Sequence, residues 1–347
     1  MSVLFSAWLA LDLELDRVLA RQKKPKILVT GATGFVGRHL VGYLLENYYR
    51  VSVYSRHEFS RSECYGLEPE DWFTGAMEDN HTLTSACRTA DVVVHLANLA
   101  HAGLSNQISY YSFNIAGTKA VCEACREAKT QKLVYVSSAL ALNPAHSAYA
   151  QSKKLAEEVL VKAARDAAEI GDEFRTYILR PANIYGPGMK GNIARLIRGI
   201  IDRRMPPLPP LNNRFAMVSV YDVCRAIEIL IENSSVSERC YLLTDGEQYT
   251  PNRVESAIYA ALSRRQPRWR LPRVVFFGTA LGAEILNRLR LGKTTVGLRT
   301  YQNLVADSPL QNEDLGETLG LSPTRNFEDD LPSIISAESH IESLGSV

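Results

Sequence analysis

Tyr149-Ala150-Gln151-Ser152-Lys153 sets a phenol and an ammonium four residues apart, a spacing that puts both on one face of a helix. An unperturbed tyrosine ionises near pH 10 and is a poor proton shuttle at neutrality. A lysine cation beside it, together with an oxidised nicotinamide, would favour the phenolate and bring it toward working pH. A second chemical feature lies upstream, where the apolar run Ile27-Leu28-Val29 leads into Thr30-Gly31-Ala32-Thr33-Gly34-Phe35-Val36-Gly37. A short buried strand that turns through glycines into a helix brings the backbone close to a pyrophosphate, and the helix offers that anion its unpaired N–H groups. Gly31, Thr33, Gly34, Phe35, Val36 and Gly37 are therefore expected to hold a dinucleotide. The glycine spacing is G-x-x-G-x-x-G, wider at its start than G-x-G-x-x-G.

The elements that must position these residues alternate in type. Strand candidates are 26–30, 51–55, 72–74, 92–96, 133–138 and 176–179. Helical faces between them are traced by Val36, Leu40, Val41, Leu44 and Leu45, and later by Leu155, Val159 and Leu160. Such alternation predicts an α/β fold, a doubly wound parallel sheet of the Rossmann kind with helices on both faces. Around Pro181 the chain becomes rich in proline and glycine, and a further strand at 240–244 is expected to return to the main sheet. The domain expectation is an N-terminal, helical extension over 1–24 and a dinucleotide-binding domain over 25–180. A smaller interleaved α/β substrate lobe would occupy 181–239 and 245–335.

At 347 residues, 46% hydrophobic and 22% charged, the chain reads as an ordinary globular protein with a sizeable core. A formal net charge of +1 gives no reason to expect nucleic acid or an anionic membrane as partner, and no basic run with interleaved aromatics stands out. The six cysteines are too sparse for a disulfide scaffold; Cys122 and Cys125 form a C-x-x-C but sit in a helical pattern as small hydrophobes, and no metal site is expected. The extension has Leu4, Trp8, Leu11, Leu15 and Val18 at helical spacing and lacks the basic start of a signal peptide. Residues 274–286 are apolar but interrupted by Glu284. They read as a buried or interfacial helix, with no stable membrane insertion, and a cytoplasmic location is expected.

Taken together, these motifs resemble the extended short-chain dehydrogenase/reductase family, in its NAD-dependent epimerase/dehydratase (sugar-nucleotide) branch. The resemblance runs from about Lys26 to about Leu331. It rests on the glycine loop, Asp91-Val92-Val93-Val94-His95-Leu96-Ala97, Asn114-Ile115-Ala116-Gly117-Thr118 and the Tyr149/Lys153 pair. Arg180-Pro181-Ala182-Asn183-Ile184-Tyr185-Gly186-Pro187 and Val220-Tyr221-Asp222-Val223 complete it. The resemblance implies that Ser138 hydrogen-bonds the reacting oxygen, Tyr149 exchanges the proton, and Lys153 holds the nicotinamide ribose. It implies that Leu96, Ala97, Asn114 and Pro181 border the cofactor and that Asn183 and Asn192 contact a substrate diphosphate. Arg214 and Arg299 stand as phosphate partners, and His101 faces the sugar in the subgroup that this chain resembles, bacterial UDP-sugar 4-epimerases and UDP-4-keto-6-deoxy-N-acetylhexosamine reductases.

Departures from the branch narrow the reaction. Its dehydratases follow the catalytic hydroxyl with an Asp-Glu pair, whereas here Ser138 is followed by Ala139 and Leu140. The segment from Ser138 to Tyr149 is short, and Ala76 follows Gly75 where an acid commonly faces the adenine. NAD-preferring members place an acid after the second strand; this chain has Ser55-Arg56-His57, with no acid until Glu58. A guanidinium and a hydroxyl suit a ribose 2′-phosphate, so NADP(H) is favoured over NAD(H). The expectation is reduction at the 4-position of a nucleotide-linked sugar by a homodimer. The alternatives are a 4-epimerase and a non-catalytic cofactor sensor.

Overall fold

The computed structural model describes residues 24–57, 71–99, 110–233, 240–288, 310 and 319–344. The chain divides into two compact units, Met1–Pro181 with Val223–Leu243 and Asp314–Leu321, and Ala182–Asp222 with Thr244–Glu313 and Ser322–Val347. Residues 1–23 of the expected extension, His101 and Arg299 lie outside the described residues.

The first unit is built on a parallel sheet. Its strands are β1 (Lys26–Thr30), β2 (Arg50–Ser55), β3 (Trp72–Thr74), β4 (Val92–His95), β5 (Lys132–Val136), β6 (Arg175–Pro181) and, in chain order after the two strands of the second unit, β9 (Cys240–Leu243). They lie in the order β3-β2-β1-β4-β5-β6-β9, every pair parallel. Ile27, Leu28 and Val29 are wholly buried in succession. Such a run is what a strand covered on both faces requires, where a half-exposed strand would alternate. One face is covered by α2 (Asn80–Arg88), α3 (Gly117–Ala128) and α4 (Ala148–Glu169). Leu83, Cys87, Val121, Cys125, Ala156 and Leu160 from these helices share a core with Leu28, Val93, Leu133 and Ile178. Each large aliphatic buried there contributes about 1.5–3 kcal/mol. Cys122 and Cys125 belong to this core, and burial pushes the Cys122 thiol up to about 12, as fits packing residues. Strand order reverses beside β1, which opens a crevice at the carboxyl ends of β1 and β4.

The domain expectation placed all of 181–239 in the substrate lobe; the chain instead rejoins the first unit at Val223. Lys132, buried at the start of β5, shows why. Its ammonium donates to the carbonyls of Leu230, Ile231 and Asn233 at 3.0, 2.6 and 3.3 Å. These are the end of α6 (Val220–Glu232), where unpaired carbonyls and the negative dipole end favour a cation.

The second unit holds a two-stranded parallel sheet, β7 (Asn183–Tyr185) with β8 (Met217–Ser219), which the proline-rich sequence did not suggest. Its helices are α5 (Asn192–Ile201), α7 (Pro251–Ala261), α8 (Arg273–Arg288) and α9 (Phe327–Leu344). A polar cluster sits within it. Tyr185 and Tyr249 donate to Asp245 at 3.2 and 2.7 Å, and Phe327 N–H donates to the Tyr249 hydroxyl at 3.1 Å. The rings of Tyr185 and Phe327 meet edge to face. On α8, Phe276 and Ala280 are buried, while Val274 is 82% and Val275 48% exposed. The helix is therefore buried on one side only. Among the described residues no helix is long and apolar enough to cross a membrane.

Candidate active site

Tyr149 and Lys153 stand on the first two turns of α4. Ser147 caps that helix, its hydroxyl accepting from Ala150 N–H at 3.1 Å. The buried stripe of α4 runs Ala150, Lys153, Ala156, Glu157, Leu160, so the i, i+4 rule places an ammonium and a carboxylate in succession on its inner face. Lys153 is fully buried; its ammonium donates to the Val136 carbonyl at 2.8 Å and the Tyr135 hydroxyl at 3.2 Å. Burial pushes Lys153 down to about 7, partly opposed by Glu157. The Tyr149 phenol moves the other way: burial, and then the neighbouring Tyr110, raise its pKa. The two rings meet edge to face at 6.1 Å. The expected lowering of Tyr149 by Lys153 is thus not a property of the protein alone. The lysine is committed to β5, and desolvation of the phenol prevails.

Among the described residues the Tyr149 hydroxyl has no hydrogen-bond partner, and the residue as a whole is half-buried. Ser138 is also half-buried, just past β5, and among the described residues its hydroxyl oxygen accepts only from Leu140 N–H, at 3.2 Å. That oxygen keeps its proton free to donate. Ala139 and Leu140 open a short helical turn and supply no acid.

Behind these two hydroxyls lies a network that the sequence reading missed. Glu157 is buried and takes a two-point ion pair from Arg180, at 2.9 and 2.6 Å, and a hydrogen bond from the Ser137 hydroxyl at 2.6 Å. Ser137 N–H donates to Leu179 O at 2.7 Å. The segment that carries Ser138 is therefore fixed to both α4 and β6. Extending the Tyr149/Lys153 spacing by one more turn would have found Glu157.

The glycine turn lies where expected. Gly31 has a φ of +74°, and a Cβ there would come within 2.6 Å of Ala97 N. A Cβ on Gly37 would come within 2.2 Å of Gly31 O. Only glycine permits this contact between turn, β4 end and helix. Helix α1 (Phe35–Glu46) begins at Gly34 with no side-chain cap and no acidic residue in its first turn. Its opening N–H groups are thus left for an anion, and the residues present fit a dinucleotide pyrophosphate. Thr33 and Gly34 are exposed, Phe35 and Val36 half-buried, and Leu96 and Pro181 buried. At the end of β2, Arg56 is exposed with its guanidinium 5.1 Å from the Phe113 ring centre, and Ser55 donates to His57 O at 2.6 Å. At the position without the adenine-facing acid, Ala76 O accepts from the Tyr54 hydroxyl at 2.7 Å.

Asn114 lies in a π-helical turn, Tyr111–Ala116, a distortion that recurs at functional sites. Its side chain is wholly occupied, accepting from Leu99 N–H at 2.7 Å and donating to Ser152 Oγ at 2.9 Å. It ties the end of β4 to α4. Deeper in the sheet, Thr30 Oγ1 and Thr118 Oγ1 stand 2.7 and 3.2 Å from the two ring nitrogens of His95. Thr118 donates onward to Asn114 O at 2.6 Å, so Nε2 carries the imidazole proton and Thr30 donates to Nδ1.

The substrate candidates in the second unit are placed more loosely. Asn183 is exposed on β7 with its amide 3.4 Å from Ala216 O. Asn192 opens α5 and accepts from Arg195 at 3.3 Å, and Arg214 is exposed.

Residues 27–243 match the family described as the NAD dependent epimerase/dehydratase family. The chain is 28% identical over 297 residues to UDP-glucose 4-epimerase of Vibrio cholerae, covering 77% of this chain and 86% of the relative. It is 32% identical over 237 residues to ceramide reductase of Caulobacter vibrioides, covering 65% and 70%. Among solved structures, that of MoeE5 in complex with UDP-glucose and NAD superposes with a TM-score of 0.70 at 21% identity, covering 91% of this chain and 99% of the other.

Proposed function

The chain belongs to the NAD dependent epimerase/dehydratase family and is an enzyme of the extended short-chain dehydrogenase type, and from that premise we propose that it uses NADP(H) to reduce a keto group at the 4-position of a nucleotide-linked sugar. The observation that carries the choice of reduction is Arg56, a cation laid on Phe113 at the end of β2. A 2′-phosphate suits this position and no carboxylate among the described residues competes for it. Reductases draw on the NADPH pool; epimerases recycle a held cofactor.

The bound nicotinamide supplies the hydride. The chain's own residues do the rest. Ser138 donates its free proton to the substrate oxygen, and Tyr149 delivers a proton as that oxygen gains charge. Burial keeps the Tyr149 phenol protonated and so loaded for this direction, and positive charge from Lys153 would have to ease the release of that proton. Glu157 and Arg180 hold Ser137, and through it Ser138, in register with α4. Ala139 and Leu140 offer no acid–base pair, which argues against loss of water from the sugar. Asn183, Asn192 and Arg214 belong to the proposal as diphosphate contacts. A cytoplasmic homodimer joined through α3 and α4 belongs to it as well; Val161 on α4 is 53% exposed.

The similarity to the Vibrio cholerae enzyme over 86% of its length favours 4-epimerisation as the second reading. Incubation with a UDP-4-keto-6-deoxy sugar, UDP-glucose and, given the ceramide reductase likeness, a long-chain ketone decides among them. Stoichiometric NADPH loss with the keto sugar is the expected result. Product from UDP-glucose without net cofactor change supports epimerisation, and turnover of the ketone alone overturns the sugar reading. Arg56→Glu should raise the KM for NADPH about tenfold and leave that for NADH largely unchanged, since one charged contact is worth about 1.4 kcal/mol.

A further inference from the structure

Between α7 and α8 the chain runs Arg264-Arg265-Gln266-Pro267-Arg268-Trp269-Arg270-Leu271-Pro272-Arg273. Three of these arginines are used internally. Arg264 donates to the carbonyls of Ile200 and Ile201 at 2.8 Å, Arg270 pairs with Glu255, and Arg273 donates to Pro210 O at 2.7 Å. Arg265 and Arg268 are exposed and form no hydrogen bond or ion pair with the described residues. Beside them Trp269 is 58% exposed.

Helix α8 continues this surface. Phe276 and Ala280, four residues apart, face inward. Val274, Phe277 and Leu281 recur at i, i+3 and i+7 on the outer flank and are 82%, 42% and 39% exposed, with Val275 at 48% beside them. Gly278 is exposed between them and adds no side chain. Free guanidinium groups, an exposed indole and an apolar helix flank thus occupy one connected stretch of the second unit.

We propose that the Arg265/Arg268/Trp269 turn and the outer flank of α8 form a docking surface for an anionic lipid bilayer. Charge complementarity selects the occupant. Guanidinium groups are drawn to anionic headgroups, tryptophan settles at the headgroup level, and apolar side chains enter the acyl boundary without a membrane-spanning helix. Nucleic acid would match the arginines but leave Val274, Val275 and Leu281 against phosphate and water. A second copy meeting this face about a two-fold axis would cover the apolar residues but also enclose Arg265 and Arg268 against a stretch, 264–281, that contains no acid to pair them.

The test is flotation of the full chain with phosphatidylcholine vesicles, with and without about 30 mol per cent phosphatidylglycerol. Binding should be about tenfold or more tighter to the anionic vesicles and should weaken as salt is raised. Paired Arg265→Glu/Arg268→Glu and paired Val274→Glu/Leu281→Glu should each lose about tenfold or more, since each removes one of the two contributions. All four positions are exposed, so both variants should keep the wild-type thermal transition. Brominated lipid should quench an emission that is missing in Trp269→Phe. Absence of vesicle binding, equal binding to both vesicles, or binding unaffected by the variants overturns the proposal. So does an arginine-dependent affinity for duplex DNA without vesicle binding, or a fall in oligomer size in Val274→Glu/Leu281→Glu.

Discussion

Each unit buries a cluster of tyrosines beside charged groups, and the two clusters are finished differently. In the second unit, Asp245 accepts from Tyr185 and Tyr249, Tyr249 accepts from Phe327 N–H, and Ser219 and Arg325 close on Asp330 at 2.5 and 2.8 Å. Every hydroxyl named there has a protein partner. In the first unit, Tyr135, Lys153, Glu157, Arg180 and Ser137 are equally committed, yet the Tyr149 hydroxyl and the Ser138 proton have no partner among the described residues. A polar cluster whose hydrogen bonds all close on themselves holds a fold together. One that leaves two hydroxyl protons without an acceptor among the described residues has groups to spare for a ligand.

The sharpest challenge to that contrast is Tyr149→Phe. It removes an oxygen that bonds none of the described residues, so turnover should fall about a thousandfold while the thermal midpoint stays put, because general-acid groups are worth about 10²–10⁴ in rate. A matching loss of stability would mean that the hydroxyl is structural after all. Asp245→Ala asks the converse. Stripping the acceptor from two buried phenols should lower the unfolding free energy by about 3 kcal/mol in urea titrations, with turnover per folded molecule intact. A variant that folds normally but has lost activity would dissolve the distinction.

The smallest effect concerns Lys153. Its folded pKa of about 7 lies below the ordinary lysine value, so at higher pH the unfolded chain holds a proton that the folded chain has released. Stability should therefore rise with pH above about 7, by up to ~1.4 kcal/mol per unit for this group. In cofactor-free protein the difference between wild type and Lys153→Met, measured by urea unfolding from pH 7 to 9, should show that slope. A flat difference would mean that the ammonium is better solvated than its surroundings imply.

The sheet was legible because a parallel strand buried on both faces is written as a continuous apolar run; Ile27-Leu28-Val29 and Val92-Val93-Val94 announce themselves. The candidate pair Tyr149 and Lys153 could be placed on one helix from the sequence because helical spacing fixes which residues share a face. What escaped depends on contacts made far apart in the chain. Nothing near Glu157 indicates that Arg180 and Ser137 will close on it, and nothing in Asn114 indicates that its amide will be spent on Leu99 and Ser152. Strands β7 and β8 are three residues each, too short to carry a period among prolines. The Arg264–Arg273 cluster was hidden for another reason. A net charge of +1 averages over the whole chain, and balance elsewhere conceals a local excess. The earlier expectation that no basic run interleaves with aromatics fails at Trp269.

His95 gives the glycine turn a property of its own. The imidazole is wholly enclosed, and burial, with Lys153 nearby, holds its pKa down to about 3. Thr30 and Thr118 therefore see the same neutral tautomer at any pH where the enzyme would work, and the geometry at the end of β1 does not drift with acidity. The consequence surfaces in the unfolding equilibrium instead. Below about pH 6.5 the unfolded chain takes up a proton that the folded one refuses, so stability declines toward acid by up to roughly 1.4 kcal/mol per unit from this residue. A histidine in this setting is no sensor. It is a strut that keeps its shape until the molecule as a whole gives way.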